Sequence, residues 1–389
     1  MTAPEGVDDA IAAALAIAPS FATRAEKHDR DGLFPAEDFE DLRTAGLMGL
    51  MAPTSLGGTG AAFADYVEVA MALAAGNGAT ALIYNMHASV TGALALTPED
   101  IARALGATDG FFTMRDETLS AAARGAFYAV AMSERRAGSR LSAVETTYEP
   151  VDGGWHIRGE KTFCSGAGHA DGYLVAARND DKVSYFLVPA SEGIRVVETW
   201  DSLGMRATAS HDLLLDTVVP AESLIGGVEG LTLLLAQVMP QWLVASYAAV
   251  YVGVAQAAVD AAVVHINERN LARLPAVRAR LGRADARVAA AREAVRVMAR
   301  AVDAAPGEPD TNRWVWRAKL LAGETAMEVA ASLLEACGTS ASRRGHPLER
   351  IYRDARCGSL QPATSDVCAD WLGYASLGLD PEAGEVARW

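Results

Sequence analysis

Residues 132–139, MSERRAGS, are the first segment whose side chains could take part in binding chemistry. Ser133 and Ser139 carry hydroxyls, and Gly138 allows a tight turn between them. A loop of this composition can direct its backbone N–H groups at a phosphate or at a polar ring. An ordinary surface turn between a helix and a strand has the same composition, so the segment alone leaves both interpretations open.

A second segment, residues 159–168, reads GEKTFCSGAG and places an aromatic side chain close to a hydroxyl. Phe163 and Ser165 are two residues apart, so on a regular strand they would point to the same face. Phe163 could then pack on an isoalloxazine ring while the Ser165 hydroxyl bonds a ring nitrogen. The alternative is an inward phenylalanine beside a buried serine.

A third segment, RIYRDAR at residues 350–356, follows Gly338 and Thr339 and could be either part of a site or a charged, solvated helix end. The four cysteines lack the C-x-x-C spacing of metal sites, so we predict no metal. They fit a reduced compartment, and the polar, acidic N-terminus lacks the features of a signal peptide, so we expect a cytoplasmic protein. A net charge of −15 argues against nucleic acid or an anionic membrane as a partner.

The hydrophobic pattern predicts three regions that would position these segments. A helical period dominates residues 1–122, short alternating runs fill residues 123–226, and the helical period returns over residues 227–389. We therefore predict a mainly α protein with an N-terminal helical domain, a small antiparallel β-barrel or sandwich, and a C-terminal four-helix bundle.

Two features of the C-terminal region bear on its packing. Residues 242–259 are almost wholly apolar, but they lack basic flanks, which favours a buried or interface helix over a membrane span. Lys319 is the one polar residue on an apolar helical stripe, and its stem can lie along that stripe.

In their order and spacing, these segments resemble the acyl-CoA dehydrogenase superfamily over nearly the whole chain. Residues 132–139 are similar to its "TEPGAGSD" loop and residues 159–165 to its "G-x-K-x-W-I-T" strand. Residues 201–208 are similar to "K-L-G-x-R-x-S", and Arg353 begins a match to "R-D-A-K". The resemblance implies FAD, or less often FMN, bound between the β-domain and the C-terminal bundle.

The resemblance also assigns roles to individual residues. Arg269 would reach a pyrophosphate across a subunit boundary, in a homotetramer or dimer. Ser139 and Arg206 would lie near the substrate. The implied flavin contacts are Met132, Ser133, Gly138, Ser139, Phe163, Ser165, Arg269, Gly338, Thr339, Thr364 and Asp366.

The chain departs from the family where the reaction needs a base. Dehydrogenation of an acyl thioester requires a carboxylate to remove the α-proton, and the family's glutamate in "Y-E-G-T" corresponds here to Pro362. A second family location, residues 241–245, also lacks a carboxylate. The first hypothesis is therefore α,β-dehydrogenation of a CoA or carrier-protein thioester with a displaced base, for which Asp366 is the nearest candidate, and with an electron-transfer flavoprotein as possible partner.

Two alternatives remain open. A related branch of the family comprises monooxygenases that take reduced flavin from a partner reductase and use a histidine and a Ser or Thr near the flavin. His87 and Ser165 would have these roles, unless His87 is simply a satisfied core histidine. The third possibility is a flavin-binding homologue that has lost its catalysis.

Overall fold

The structure is a computed structural model that describes residues 4 and 6–383. Helices form its N-terminal part, as the hydrophobic period predicts. α4 begins at Asn77, whose side chain accepts the Ala79 N–H at 3.2 Å, and it is buried over most of its length. The helices are α1 (Val7–Asp31), α2 (Ala36–Thr44), α3 (Phe63–Gly76), α4 (Gly78–Ala95), α5 (Glu99–Ala104) and α6 (Asp109–Ala123).

A curled seven-stranded sheet follows, in the order β1-β4-β2-β3-β7-β6, with β5 paired to β4. The predicted mainly α architecture with a central β-domain is confirmed. Two strand pairs depart from the expected antiparallel arrangement, since β4 pairs in parallel with both β1 and β2. The β2–β3 hairpin lies between β1 and β4 and provides the chain length that a parallel return needs. The strands are β1 (Tyr128–Ala131), β2 (Thr147–Val151), β3 (Gly154–Cys164), β4 (Gly172–Asn179), β5 (Lys182–Pro189), β6 (Ile194–Val197) and β7 (His211–Pro220).

Long helices make up the C-terminal part and confirm the predicted bundle. α8 packs against α3 and α10 and so joins the two helical parts. The helical stretch Pro240–Glu268, with a mean hydropathy of 1.6, is long and apolar enough to cross a membrane, but 67% of its apolar window is buried within the fold. The helices are α7 (Leu231–Val238), α8 (Ala245–Glu268), α9 (Pro275–Ala304), α10 (Pro309–Cys337), α11 (Pro347–Arg356) and α12 (Ser365–Ser376).

Candidate active site

Backbone strain is concentrated where the β-domain meets the C-terminal helices. Among the described residues, five non-glycine residues have a positive φ, and three of them, Phe163 (57°), Met205 (54°) and Ala209 (44°), lie close together. The other two are Asp180 and Asn270, side chains that tolerate this conformation. Strained backbone persists only where the surroundings enforce it and is frequent at functional sites.

Phe163 lies on a β-bulge, where the register between β3 and β7 shifts between Lys161 and Cys164. Its side chain is 61% exposed and meets Trp200 edge-on, with 6.0 Å between ring centroids. The prediction that Phe163 and Ser165 share one face of a regular strand is wrong. The positive φ of Phe163 interrupts the alternation, and Ser165 lies beyond the end of β3, 7% exposed.

Ser165 belongs to a chain of buried hydroxyls. Its Oγ lies 2.9 Å from Ser210 Oγ, which lies 2.7 Å from Thr208 Oγ1. Thr208 Oγ1 donates to the Met205 carbonyl oxygen at 2.9 Å, and the Trp200 indole N–H donates to the same oxygen at 3.2 Å. The exposed aromatic pair and the buried hydroxyls are therefore connected through Met205.

A buried ion pair holds the 132–139 loop against β3. Lys161 Nζ lies 2.7 Å from Glu134 Oε1, and these side chains are 0% and 4% exposed. The Glu134 carboxylate also accepts the N–H groups of Glu145 at 2.6 Å and Thr146 at 3.0 Å. Burial alone would raise the pKa of Glu134, but the ammonium and these N–H groups outweigh it, so its pKa is lowered.

The four residues of this loop expected at the flavin are all accessible to some degree. Ser133 and Met132 are half-buried, and the Met132 carbonyl oxygen accepts a hydrogen bond from Lys161 Nζ at 3.3 Å. Gly138 and Ser139 are exposed, and Gly138 has a φ of 63° with no atom within 4 Å of where a Cβ would be. The loop therefore leaves space above Gly138.

The segment 350–356 lies on α11 and clamps the 201–205 loop. Asp354 accepts the Met205 N–H at 2.6 Å, and a Cβ atom at Gly204 would lie 2.1 Å from the Arg353 carbonyl oxygen. Arg353 is also bound to Asp29 at 2.6 Å and to Glu349 at 2.7 Å. These contacts bring the start of the next loop, residues 357–364, which includes Pro362, next to Met205.

That loop, residues 357–364, is held from beneath by a buried ammonium. Lys319 is 1% exposed, and its Nζ donates to the carbonyl oxygens of Gly358 at 2.9 Å, Gln361 at 3.2 Å and Ala363 at 2.9 Å. The charged end of the side chain is therefore buried together with its stem. Burial lowers the pKa of Lys319 to about 8.

Tyr251 on α8 supports the same loop, because its hydroxyl donates to Gln361 Oε1 at 2.7 Å. Pro362 lies in this loop before α12, whose N-cap is Thr364. The Thr364 hydroxyl oxygen accepts the Val367 N–H at 3.3 Å, and Asp366 is exposed on the first turn of α12. The two residues assigned to the cofactor here thus have a capping and an exposed position.

His87 is buried within the fold, and its hydrogen bonds do not include Ser165, Ser210 or Thr208. Its Nε2 donates to the Met48 carbonyl oxygen at 2.7 Å, and its Nδ1 accepts the Tyr128 N–H at 3.2 Å. Burial lowers its pKa to about 4. With both ring nitrogens bound to backbone groups, this geometry is that of a satisfied core histidine.

The remaining predicted residues form two further groups. Arg206 is bound to Asp201 at 2.7 Å and to the Asp29 carbonyl oxygen at 3.1 Å, which links the β-domain to α1. Arg269 is exposed at the end of α8, and Gly338 and Thr339 are exposed nearby.

The residues around Arg269 are linked through a histidine pair. His265, one turn earlier on α8, lies 3.0 Å from His346 Nε2 and 3.4 Å from Ser340 Oγ. These hydrogen bonds stay within the C-terminal helices and do not include Phe163 or Ser165. With a rise of 1.5 Å per residue, Arg269 lies roughly 27 Å along the helix from Tyr251.

Several residues of this site are not identified by the sequence prediction. Glu134 lies in the 132–139 segment and Lys161 in the 159–168 segment. A charged residue on a strand between apolar positions is the feature by which the sequence could have indicated a buried ion pair. Lys319 stands out in the sequence as the one polar residue on its stripe, but the pattern does not show whether its ammonium reaches solvent or is buried. Ser210 and Tyr251 give no signal, because only the fold brings Ser210 next to Ser165 and Tyr251 next to Gln361.

These residues fit a flavin. The exposed ring of Phe163 on strained backbone, the buried hydroxyl of Ser165 two residues later and the open loop at Gly138 offer a stacking surface, a hydrogen-bonding group and room for a polar ring edge. No group of three or more His, Cys, Asp or Glu side chains that could hold a metal ion occurs among the described residues.

Three family models match the chain in succession. The N-terminal domain of acyl-CoA dehydrogenases matches residues 12–98, the middle domain residues 129–218 and the C-terminal domain residues 242–370. The putative acyl-CoA dehydrogenase YdbM of Bacillus subtilis is 32% identical over 369 residues, covering 90% of this chain and 92% of its own.

A nitrososynthase and the protein KijD3 are also similar to nearly the whole chain. L-evernosamine nitrososynthase of a Micromonospora species is 32% identical over 386 residues, covering 94% of this chain and 89% of its own. The solved structure of KijD3 with FMN and a dTDP-3-amino sugar has a TM-score of 0.83 at 28% identity, covering 98% and 97% of the two chains. The chain belongs to the acyl-CoA dehydrogenase family of flavoproteins.

Proposed function

We propose that this protein is a monooxygenase that uses reduced flavin supplied by a separate reductase. The observation that carries the proposal is the 357–364 loop, which has no carboxylate and is fixed by Lys319 and Tyr251. A dehydrogenase needs a carboxylate beside the flavin to remove a proton from carbon, and neither this loop nor residues 241–245 contains one. Oxygen transfer to a nucleophilic atom does not need such a base.

Three carboxylates near the loop, those of Asp354, Glu349 and Asp29, are already engaged. Asp354 binds the Met205 N–H and the Arg350 guanidinium, at 2.6 and 3.4 Å. Glu349 and Asp29 both bind Arg353. Each carboxylate therefore stabilises the fold, and its removal from that role would leave a cation or a backbone N–H without a partner.

Bound reduced flavin would supply two electrons which, with molecular oxygen, place one oxygen atom on the substrate and the other in water. The chain's residues position and shield this chemistry. Phe163 would pack on the ring and Ser165 would bond a ring nitrogen. Lys319 holds the Gln361 backbone carbonyl oxygen, and Tyr251 holds the Gln361 side chain. Gln361 Oε1 is occupied by Tyr251, which leaves its amide N–H groups to bind a substrate oxygen.

The relatives support this proposal through their reactions. Nitrososynthases occur among both the curated relatives and the solved structures, at 32% and 29% identity. We infer that the substrate has a nucleophilic heteroatom, such as an amine nitrogen. The cofactor would be FMN or FAD.

Thioester dehydrogenation is the second candidate, and its support is the 32% identity to a putative acyl-CoA dehydrogenase. It would require Asp366 as base. The exposed position of Asp366 on the first turn of α12, beyond the Lys319-bound loop, makes this the weaker proposal.

The test compares oxygen-dependent and oxygen-free reactions of one preparation. The protein is supplied with FMN, NADH and a flavin reductase, and then with the dTDP-3-amino sugar named for KijD3 and a panel of simple primary amines. We expect product carrying an added oxygen atom only when both reductase and oxygen are present. Flavin bleaching by an acyl-CoA without oxygen would contradict the proposal, and bound flavin with neither reaction would indicate a degenerate homologue.

We also propose a homo-oligomer in which Arg269 serves the cofactor of a neighbouring copy. The length of α8 supports this, because Arg269 lies roughly 27 Å along the helix from Tyr251. Two measurements on Arg269→Ala and the unchanged protein would test it. Light scattering should show the same oligomer for both, and an FAD titration should show weaker binding by the variant. An unchanged FAD affinity would refute the role of Arg269.

A further inference from the structure

We propose that the hydroxyl chain from Ser165 through Ser210 and Thr208 to Met205 has one preferred direction and makes the site selective for reduced over oxidised flavin. Ser210 and Thr208 would thus be positioning residues that act on the cofactor through Ser165. The inference rests on the proposed function in one respect only, that Ser165 meets the flavin ring.

The direction follows from the number of protons available. Each hydroxyl has one proton to donate, and a carbonyl oxygen can only accept. If Thr208 donates to Met205 O, then Ser210 donates to Thr208 and Ser165 donates to Ser210, over 2.9, 2.7 and 2.9 Å. All three protons then have an acceptor.

The opposite direction leaves one proton without an acceptor. If Thr208 donated to Ser210 and Ser210 to Ser165, the Ser165 proton would have no acceptor among the described residues. The three side chains are 7%, 5% and 0% exposed, which limits the help that water can give. A buried donor without an acceptor is costly, so the chain runs toward Met205 in the free protein.

The surrounding backbone fixes this arrangement. The Gly166 N–H donates to the Thr208 carbonyl oxygen at 2.8 Å, which holds the turn after β3 against the 206–209 segment. Ala209 keeps a φ of 44° between the two hydroxyl residues. Ser165 therefore cannot move away from Ser210 without disturbing two strained segments.

Ser165 consequently presents an acceptor to whatever binds above it. The central ring nitrogen of a flavin carries a hydrogen when the flavin is reduced and only a lone pair when it is oxidised. Reduced flavin donates to Ser165 as the site stands, whereas oxidised flavin can accept from Ser165 only if that hydroxyl turns away from Ser210 and the hydrogen bond between them is lost. We expect at least about tenfold tighter binding of the reduced form, the difference made by one hydrogen bond.

The test measures FMN dissociation constants for both redox states, under anaerobic conditions for the reduced state. Ser210→Ala cuts the chain and frees the Ser165 proton, so oxidised FMN should bind more tightly and the ratio should fall toward one. Ser165→Ala removes the acceptor, so the ratio should fall because reduced FMN binds more weakly. Ser191→Ala, at an exposed serine of the same domain, is the matched control.

A second readout is the midpoint potential of bound FMN. A tenfold preference for reduced FMN raises the potential by about 30 mV above that of free FMN, for a two-electron couple. Thr208→Val should remove this shift in the same way as Ser210→Ala. It provides a second variant with the same expected result if Ser210→Ala fails to fold.

The outcomes separate this inference from the proposed function. Equal affinity for both redox states, or a ratio unaffected by Ser210→Ala and Thr208→Val, overturns the inference while leaving oxygenation open. Flavin reduction by an acyl-CoA overturns the proposed function alone. Failure of FMN and FAD to bind in either state overturns both.

Discussion

The Lys161–Glu134 ion pair allows the most quantitative prediction. The pair is almost fully buried, and its carboxylate also binds two backbone N–H groups of residues 145 and 146. Lys161→Met leaves a buried carboxylate without its cation, and Glu134→Gln leaves a buried ammonium whose remaining described partner is the Met132 carbonyl oxygen.

We expect each single substitution to lower the free energy of unfolding by about 3–5 kcal/mol, the usual cost of breaking a buried pair. The double variant removes both charges, and the amide oxygen introduced by Glu134→Gln can still accept a backbone N–H. Its loss should be at most about 2 kcal/mol. The coupling energy between the two sites is therefore on the order of 4 kcal/mol or more, with the double variant more stable than either single one.

Urea denaturation followed by far-UV circular dichroism measures these values, at one protomer concentration because oligomerisation shifts apparent stability. Arg136→Met is a matched control, since Arg136 forms an exposed ion pair with Glu145 at 3.7 Å. Its loss should change the free energy of unfolding by less than about 0.5 kcal/mol. Additive single effects would refute the reasoning, because they would mean that the two charges do not depend on each other.

Three further predictions concern His87, Phe163 and Lys319. The pKa of His87 falls from 6.5 to about 4 in the fold, so its contribution of about 3 kcal/mol is complete above pH 6.5 and is lost as the pH falls toward 4; His87→Gln should flatten urea-measured stability over that range, and an unchanged slope would contradict the assignment. Phe163→Gly relieves a positive φ and should raise stability by up to about 1 kcal/mol while weakening FMN binding at least about tenfold; unchanged FMN affinity would show that the ring does not contact flavin. Lys319→Met leaves three carbonyl oxygens without their donor and should cost about 3 kcal/mol in thermal or urea unfolding, whereas Lys27→Met, an exposed pair, should cost less than about 1 kcal/mol; equal losses would argue against the buried ammonium.

Much of the architecture can be predicted from sequence because it depends on local period. The helical and alternating patterns predict helices, then a β-domain, then helices again, in the order that the structure has them. The strands β1 and β2 are four and five residues long. Their parallel pairing with β4 depends on contacts far along the chain, which a local pattern does not contain.

The site is predictable only where its residues lie within motifs. The motifs identify Phe163 and Ser165, but the bulge that turns one outward and buries the other is set by the pairing of β3 with β7. Lys319 is ambiguous in sequence, because a lysine on an apolar stripe can either reach solvent or bind buried carbonyls. Tyr251 and Gln361 are 110 positions apart, so a local pattern cannot predict their hydrogen bond.

The central claim is that this flavoprotein transfers oxygen and does not dehydrogenate thioesters. The most direct measurement is an anaerobic titration of the FMN- or FAD-loaded protein with short, long, branched and aromatic acyl-CoAs, followed by visible absorption, with an authentic acyl-CoA dehydrogenase run in parallel. We predict that the flavin stays oxidised with every thioester while the control enzyme bleaches. Bleaching of the flavin by any of them, with formation of the enoyl-CoA, would contradict the account.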